Sequence, residues 1–161
     1  MKLHIAVAVA LVGSTLASMA ALSGNITISG TVANNTSITV ASHAGYNTLD
    51  IAGGVTDQQV ATATETCNDK LGYKVTLTTL NAGSGTAAFL KGPAGNTDTA
   101  PYTMTYNGVA VTLVSGSATV TTASAKTPSA GVTKNLNVTI PAIWVNADTY
   151  TDTITLTIAA N

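Results

Sequence analysis

Leu22-Ser23-Gly24-Asn25-Ile26-Thr27-Ile28-Ser29-Gly30-Thr31-Val32 alternates without a break. Leu22, Gly24, Ile26, Ile28, Gly30 and Val32 fall on one face, and Ser23, Asn25, Thr27, Ser29 and Thr31 on the other. Successive side chains of an extended chain point to opposite faces, so this is a strand with one apolar and one polar side. Where the apolar side is buried decides the fold. The segment can turn through Ala33-Asn34-Asn35 and pair with Thr36–Ala41 of its own chain, as an ordinary strand of a closed domain. Alternatively, it can leave its own domain and bury that face elsewhere. Alternation alone leaves both arrangements open.

Upstream, Lys2 and His4 precede an apolar run from Ile5 to Val12, and small residues lead to Ser18-Met19-Ala20. This is the pattern of a secretory signal segment over residues 1–20. The run is too short to cross the ~30 Å of a bilayer's hydrocarbon. The expected organisation is a signal at 1–20, an N-terminal strand at 21–33 and one domain at 34–161.

Downstream, the same period recurs in short pieces. Strands are expected at Thr36–Ala41, with Ile38 and Val40 inward, at Thr48–Ala52, Val60–Cys67, Gly72–Leu80, Ala87–Lys91, Tyr102–Tyr106, Val109–Val114, Lys134–Ile140 and Thr149–Ala159. Tyr73, Val75 and Leu77 share one face, as do Leu136, Val138 and Ile140, and Ile154, Leu156 and Ile158. Asn107-Gly108 suits a type I′ turn, pairing Tyr106 with Val109, Met104 with Val111 and Tyr102 with Leu113. Gly53–Gln59 and Thr121–Thr133 read as loops. Thr is the most frequent residue and Glu65 the one Glu, so helix formers are scarce and β-branched residues abundant. Together these predict an all-β fold, a sandwich of antiparallel sheets.

Charged residues are 8% of the chain, with no Arg and a formal net charge of −1. Nucleic-acid binding needs a basic surface that this composition lacks. His43 is the one histidine after residue 20 and falls in a polar turn, so no Ser-His-Asp set is completed. Asp57, Asp69, Asp98, Asp148 and Asp152 are dispersed, without calcium-loop spacing, and no zinc-ligand cluster is present. No catalytic residue, cofactor, metal or small-molecule substrate is expected. Cys67 is the single cysteine, so an internal disulfide is impossible; a buried thiol is the expected state, and an intermolecular bridge is the alternative.

Three stretches carry a resemblance: Leu22–Val32, Thr64–Leu77, and Ala147–Ile158 with its Tyr150-Thr-Asp152-Thr153 pattern. They resemble the subunits of archaic chaperone–usher pili, the spore coat protein U domain family. The region Asn35–Ala41 lacks the Cys that many members pair with one placed like Cys67. The resemblance implies an immunoglobulin-like sandwich missing its last strand and completed by donor-strand exchange. Leu22, Gly24, Ile26, Ile28, Gly30 and Val32 then form the donor strand, and Ile38, Val40, Ile154, Leu156 and Ile158 line the acceptor groove. The implied partners are neighbouring copies in a homopolymer, a periplasmic chaperone and an outer-membrane usher. The implied place is a cell-surface fimbria serving adhesion and biofilm. The alternative is a monomeric secreted binding module for carbohydrate or a surface, with Trp144 and Tyr46 as exposed aromatics.

Overall fold

The computed structural model describes residues 24–83, 85 and 87–161; the expected signal at 1–20, Ala21, Leu22 and Ser23 lie outside them. Nine strands form among the described residues: β1 Thr36–Ser42, β2 Val55–Cys67, β3 Tyr73–Thr79, β4 Ala88–Lys91, β5 Thr99–Tyr106, β6 Val109–Ala110, β7 Ser117–Ala123, β8 Val132–Ile140 and β9 Ile154–Ala160. No helix occurs among the described residues. Ala33–Asn161 is one compact unit.

Two antiparallel sheets pack face to face as a sandwich. One runs β1-β2-β8-β5-β4, with β6 also on β5, and the other runs β7-β3-β9. Their inner faces interdigitate through Ala63, Leu77, Met104, Leu136, Val138 and Ile140, all buried. Cys67, Tyr73 and Val75 fill one end. Alternation placed each of these strands' apolar residues on the inner face, and packing that face excludes water from both sheets.

Cys67 is a free thiol, 1% exposed, in van der Waals and weak polar contact with Thr36 and Asp69. The hairpin at Asn107-Gly108 forms as expected, with φ of 51° and 77° at the two turn residues. Its ladder is shorter than expected. Tyr106 pairs with Val109 and Thr105 with Ala110, and a further bond joins Val111 N to Met104 O. Tyr102 does not pair with Leu113. β4 occupies that edge of β5 instead, placing Ala88 opposite Tyr102, while Leu113 is buried from a loop.

Four other expectations are corrected. Thr48–Ala52 is a turn, not a strand: the Asp50 carboxylate accepts the Gly53 N–H at 2.8 Å and closes the backbone on itself. Leu49 and Ile51 still pack on the core from there. Gly53–Gln59 is not all loop, because β2 begins at Val55; two register shifts break its period, and Asp57 sits at φ 49°. Thr121–Thr133 is not all loop either, since β7 extends to Ala123 and β8 starts at Val132. The closing strand begins at Ile154, later than Thr149. Asp152 holds the preceding stretch by accepting the N–H groups of Asn81 and Thr153.

Candidate functional site

β1 ends one sheet and β9 ends the other. β1 pairs with β2 and β9 pairs with β3, and neither has a second strand partner among the described residues. The hydrogen-bond phase of each edge follows from bonds just beyond the ladders. Leu80 N bonds Thr153 O, and Asn161 N bonds Gly72 O. In an antiparallel ladder, hydrogen-bonded and non-bonded pairs alternate. The odd-numbered residues of β9 therefore bond β3, and Ile154, Leu156 and Ile158 aim their N–H and C=O away from it. His43 N to Val60 O and Asn68 N to Asn35 O set the same phase on β1. There, Ile38 and Val40 turn their backbone groups outward from the sheet. On both edges the residues with free backbone groups are the ones whose side chains face the core.

Those side chains are incompletely covered. Ile38, Ile154, Leu156 and Ile158 are partly buried, and Val40 is 51% exposed. Leu77, which pairs directly with Leu156, is 0% exposed. A groove of about 620 Å³ opens beside these strands, lined by Val40, Leu136, Val138, Ile140, Ile154 and Leu156. Three of the five expected acceptor residues thus line one groove. The other two, Ile38 and Ile158, pack on the cluster of Cys67, Tyr73 and Val75.

The far end of the groove carries a polar pair that sequence reasoning missed. Tyr102 and Asp152 both line it, and the Tyr102 hydroxyl donates to Asp152 Oδ2 at 2.6 Å. Burial and the adjacent carboxylate push the Tyr102 phenol well above its ordinary range.

Residues 24–32 form no strand. Ile26 and Ile28 are 88% and 92% exposed, and Val32 is 89% exposed. Just after them, the Asn68 side chain grips the chain at both ends of a short stretch. It donates to Ala33 O at 2.7 Å and accepts the Asn35 N–H at 2.7 Å.

A second polar assembly was also missed. Glu65 is 0% exposed. Its Oε1 accepts the hydroxyls of Tyr106 at 2.7 Å and Thr121 at 2.8 Å. Its Oε2 accepts the Tyr73 hydroxyl at 2.9 Å and meets Lys134 Nζ at 3.0 Å. Lys134 also donates to Thr121 Oγ1 at 2.7 Å and lies 5.6 Å from the centre of the Tyr106 ring. Burial first, and the Glu65 hydrogen bond second, push the Tyr73 phenol up to about 12 and raise that of Tyr106 as well. Each Glu65 carboxylate oxygen thus has two polar partners within 3.0 Å. The signal was legible: Glu65 is in phase with inward Ala63 and Cys67, and Lys134 with inward Leu136.

His43 is an exposed loop residue, its Nδ1 3.2 Å from Ala44 O. Trp144 is 96% exposed, and Tyr46 is 51% exposed. No family model matches the chain, and no curated protein matches it.

Proposed function

We propose that this chain is a structural fibre subunit, joined head to tail when residues 22–32 of one copy add a strand to the β1/β9 seam of the next. One observation carries the reading. The domain presents two sheet edges whose core-facing side chains are half covered, while an alternating apolar segment of the same chain is exposed. Adding a strand to an open edge supplies main-chain hydrogen bonds for affinity and side-chain pockets for specificity. Each large donor side chain is worth roughly 1.5–3 kcal/mol if fully buried. The contact joins two different surfaces, so it propagates into an open filament rather than closing on a dimer.

The resemblance to archaic chaperone–usher pilins supplies the rest of this reading: export, a periplasmic chaperone that covers the seam before assembly, an outer-membrane usher, and a surface fimbria that serves adhesion and biofilm. An uncovered edge of this kind is an aggregation hazard in a free subunit, which is a physical reason for a chaperone.

The test compares residues 21–161 with residues 33–161 by light scattering. The longer form is expected to chain into heat-resistant polymers. The shorter form is expected to stay unchained and to bind a synthetic 22–32 peptide. Two monomers with equal melting points refute the proposal. Ile26→Asp or Ile28→Asp in the longer form is expected to stop polymerisation.

A second reading is a monomeric secreted binding module, favoured by the solvent-exposed Trp144 ring. It predicts that Trp144→Ala abolishes adsorption to a glycan or a surface while removal of residues 21–32 has no effect.

A further inference from the structure

We infer that the inserted strand takes one register, fixed by its two glycines: Gly24 opposite Ile158, Ile26 opposite Leu156, Ile28 opposite Ile154 and Gly30 opposite Asp152, antiparallel to β9. This rests on the fibre-subunit reading above. The inner face of residues 22–32 reads Leu-Gly-Ile-Ile-Gly-Val, so two large side chains sit side by side between two positions that have none. The seam has the matching profile. Its open volume lies beside Leu156 and Ile154. On one side of that volume, the Ile158 level is already filled by Tyr73, Cys67 and Val75. On the other side lies the Asp152 carboxylate with its Tyr102 hydrogen bond.

Because Ile154, Leu156 and Ile158 are the residues with outward backbone groups, a new strand forms its bonded pairs at these even-numbered positions. Side chains of a bonded pair lie on the same face, which places the donor's even-numbered residues inward. A slip that keeps this face must move by two residues. One such slip sets Ile28 on Asp152 and Gly24 opposite Leu156. The other sets Ile26 on the Ile158 level and Gly30 opposite Ile154. Each puts a glycine where Leu156 or Ile154 lines the groove, and the first also lays an aliphatic side chain over a carboxylate.

Reading the face backwards gives nearly the same pattern, so the glycines set the register and not the direction. Direction follows from pairing geometry. All seven ladders among the described residues are antiparallel, and an antiparallel ladder is somewhat more stable per residue than a parallel one.

Disulfide mapping tests the register. The acceptor is the mature chain carrying Ile28→Asp, so that its own extension cannot donate, with one cysteine at 152, 154, 156 or 158. The donor is a synthetic peptide of residues 21–33 with cysteine at 26 or 28. Binding is read by fluorescence anisotropy of a labelled peptide, and covalent adducts by non-reducing electrophoresis. Adducts are expected for 26 with 156 and for 28 with 154.

Adducts for 26 with 154 and 28 with 156 mean a reversed strand. Those for 26 with 158 and 28 with 156, or for 26 with 154 and 28 with 152, mean a slipped one. Each of these overturns the inference, as does peptide binding without any adduct. A peptide that does not bind at all overturns the fibre-subunit reading itself. The Gly30→Leu peptide is expected to bind about tenfold or more weakly, because it covers the Asp152 carboxylate. The outward-facing Ser29→Ala peptide is expected to stay within about twofold. Equal affinity for the Gly30→Leu and unmodified peptides contradicts the assigned role of Gly30.

Discussion

The Glu65 corner and the β1/β9 seam are opposite solutions within one core. At the corner, one carboxylate is sealed from water and answered by three hydroxyls and an ammonium. At the seam, the core-facing side chains Val40, Ile154 and Leu156 of two strand edges lie partly open to water, beside the neutral Ser42, Tyr46, Thr153 and Thr155. The difference has a physical cause. A buried charge that loses one partner costs about 3–5 kcal/mol, so such a site must be finished by its own chain. An apolar groove with open backbone groups loses far less when water occupies it, so another chain can finish it later. The half of the core that holds Glu65 is closed, and the half that opens at the β1/β9 seam carries no charged side chain until Asp152.

The largest effect that can break this contrast is at the corner. Glu65→Ala is expected to lower unfolding free energy by about 3–5 kcal/mol, read from the urea midpoint, because Lys134 and three hydroxyls lose their acceptor. A loss under about 1 kcal/mol would mean the corner is solvated and the contrast false.

The next test uses two leucines that face each other. Leu77→Ala, at the closed centre, is expected to cost about 2–5 kcal/mol in the free subunit. Leu156→Ala, its ladder partner at the seam, is expected to cost about 1 kcal/mol in the free subunit, because part of that side chain is already wet. Its full cost is expected to emerge only after peptide 22–32 is bound. Equal costs in the free subunit would remove the distinction.

Alkaline titration sharpens the corner, with the raised Tyr102 phenol at the groove adding to the fall in stability in the same direction. Unfolded Tyr73 loses its proton near pH 10, and folded Tyr73 near pH 12. Between these values the unfolded state holds fewer protons, so stability falls as pH rises from about 10 to about 12. Tyr106 adds to the fall in the same direction. Phenolate absorbance from these residues is expected to lag the exposed-phenol transition and to appear together with unfolding. Tyr73→Phe is expected to weaken the dependence. A pH-independent midpoint over this range would contradict the burial of Tyr73.

The smallest effect is a control outside both regions. Gly108→Ala meets no neighbouring atom within 4 Å but places a Cβ at φ 77°. A loss of about 1 kcal/mol is expected from backbone strain alone, with peptide binding unchanged.

These regions also differ in how legible they were. Ile38, Val40, Ile154, Leu156 and Ile158 were readable because Thr and Ile alternate cleanly there, and a period of two fixes the face. β7 was not, because Ser117–Ala123 has Val120 as its one large apolar residue, and a register shift opposite Val75/Thr76 breaks the period. Thr48–Ala52 imitated a strand, since two spaced apolar residues cannot distinguish a ladder from a turn that leans on the core. The Tyr102–Asp152 pair joins residues fifty positions apart, and no local pattern announces it. Glu65 and Lys134 were both in inward phase. Their meeting follows from the β2–β8 register, which sets Ala63 opposite Lys134 and leaves Glu65 diagonal to it.

The most direct measurement of the central claim is amide hydrogen exchange along β9, residue by residue, in the free Ile28→Asp subunit and in assembled fibres. In the free subunit, Thr155 and Thr157, bonded to β3, are expected to exchange slowly, and Ile154, Leu156 and Ile158 fast. In fibres all five are expected to be slow, because the neighbour's strand takes up the open groups. If Ile154, Leu156 and Ile158 are already protected in the free subunit, or stay fast in the fibre, no second chain completes this edge.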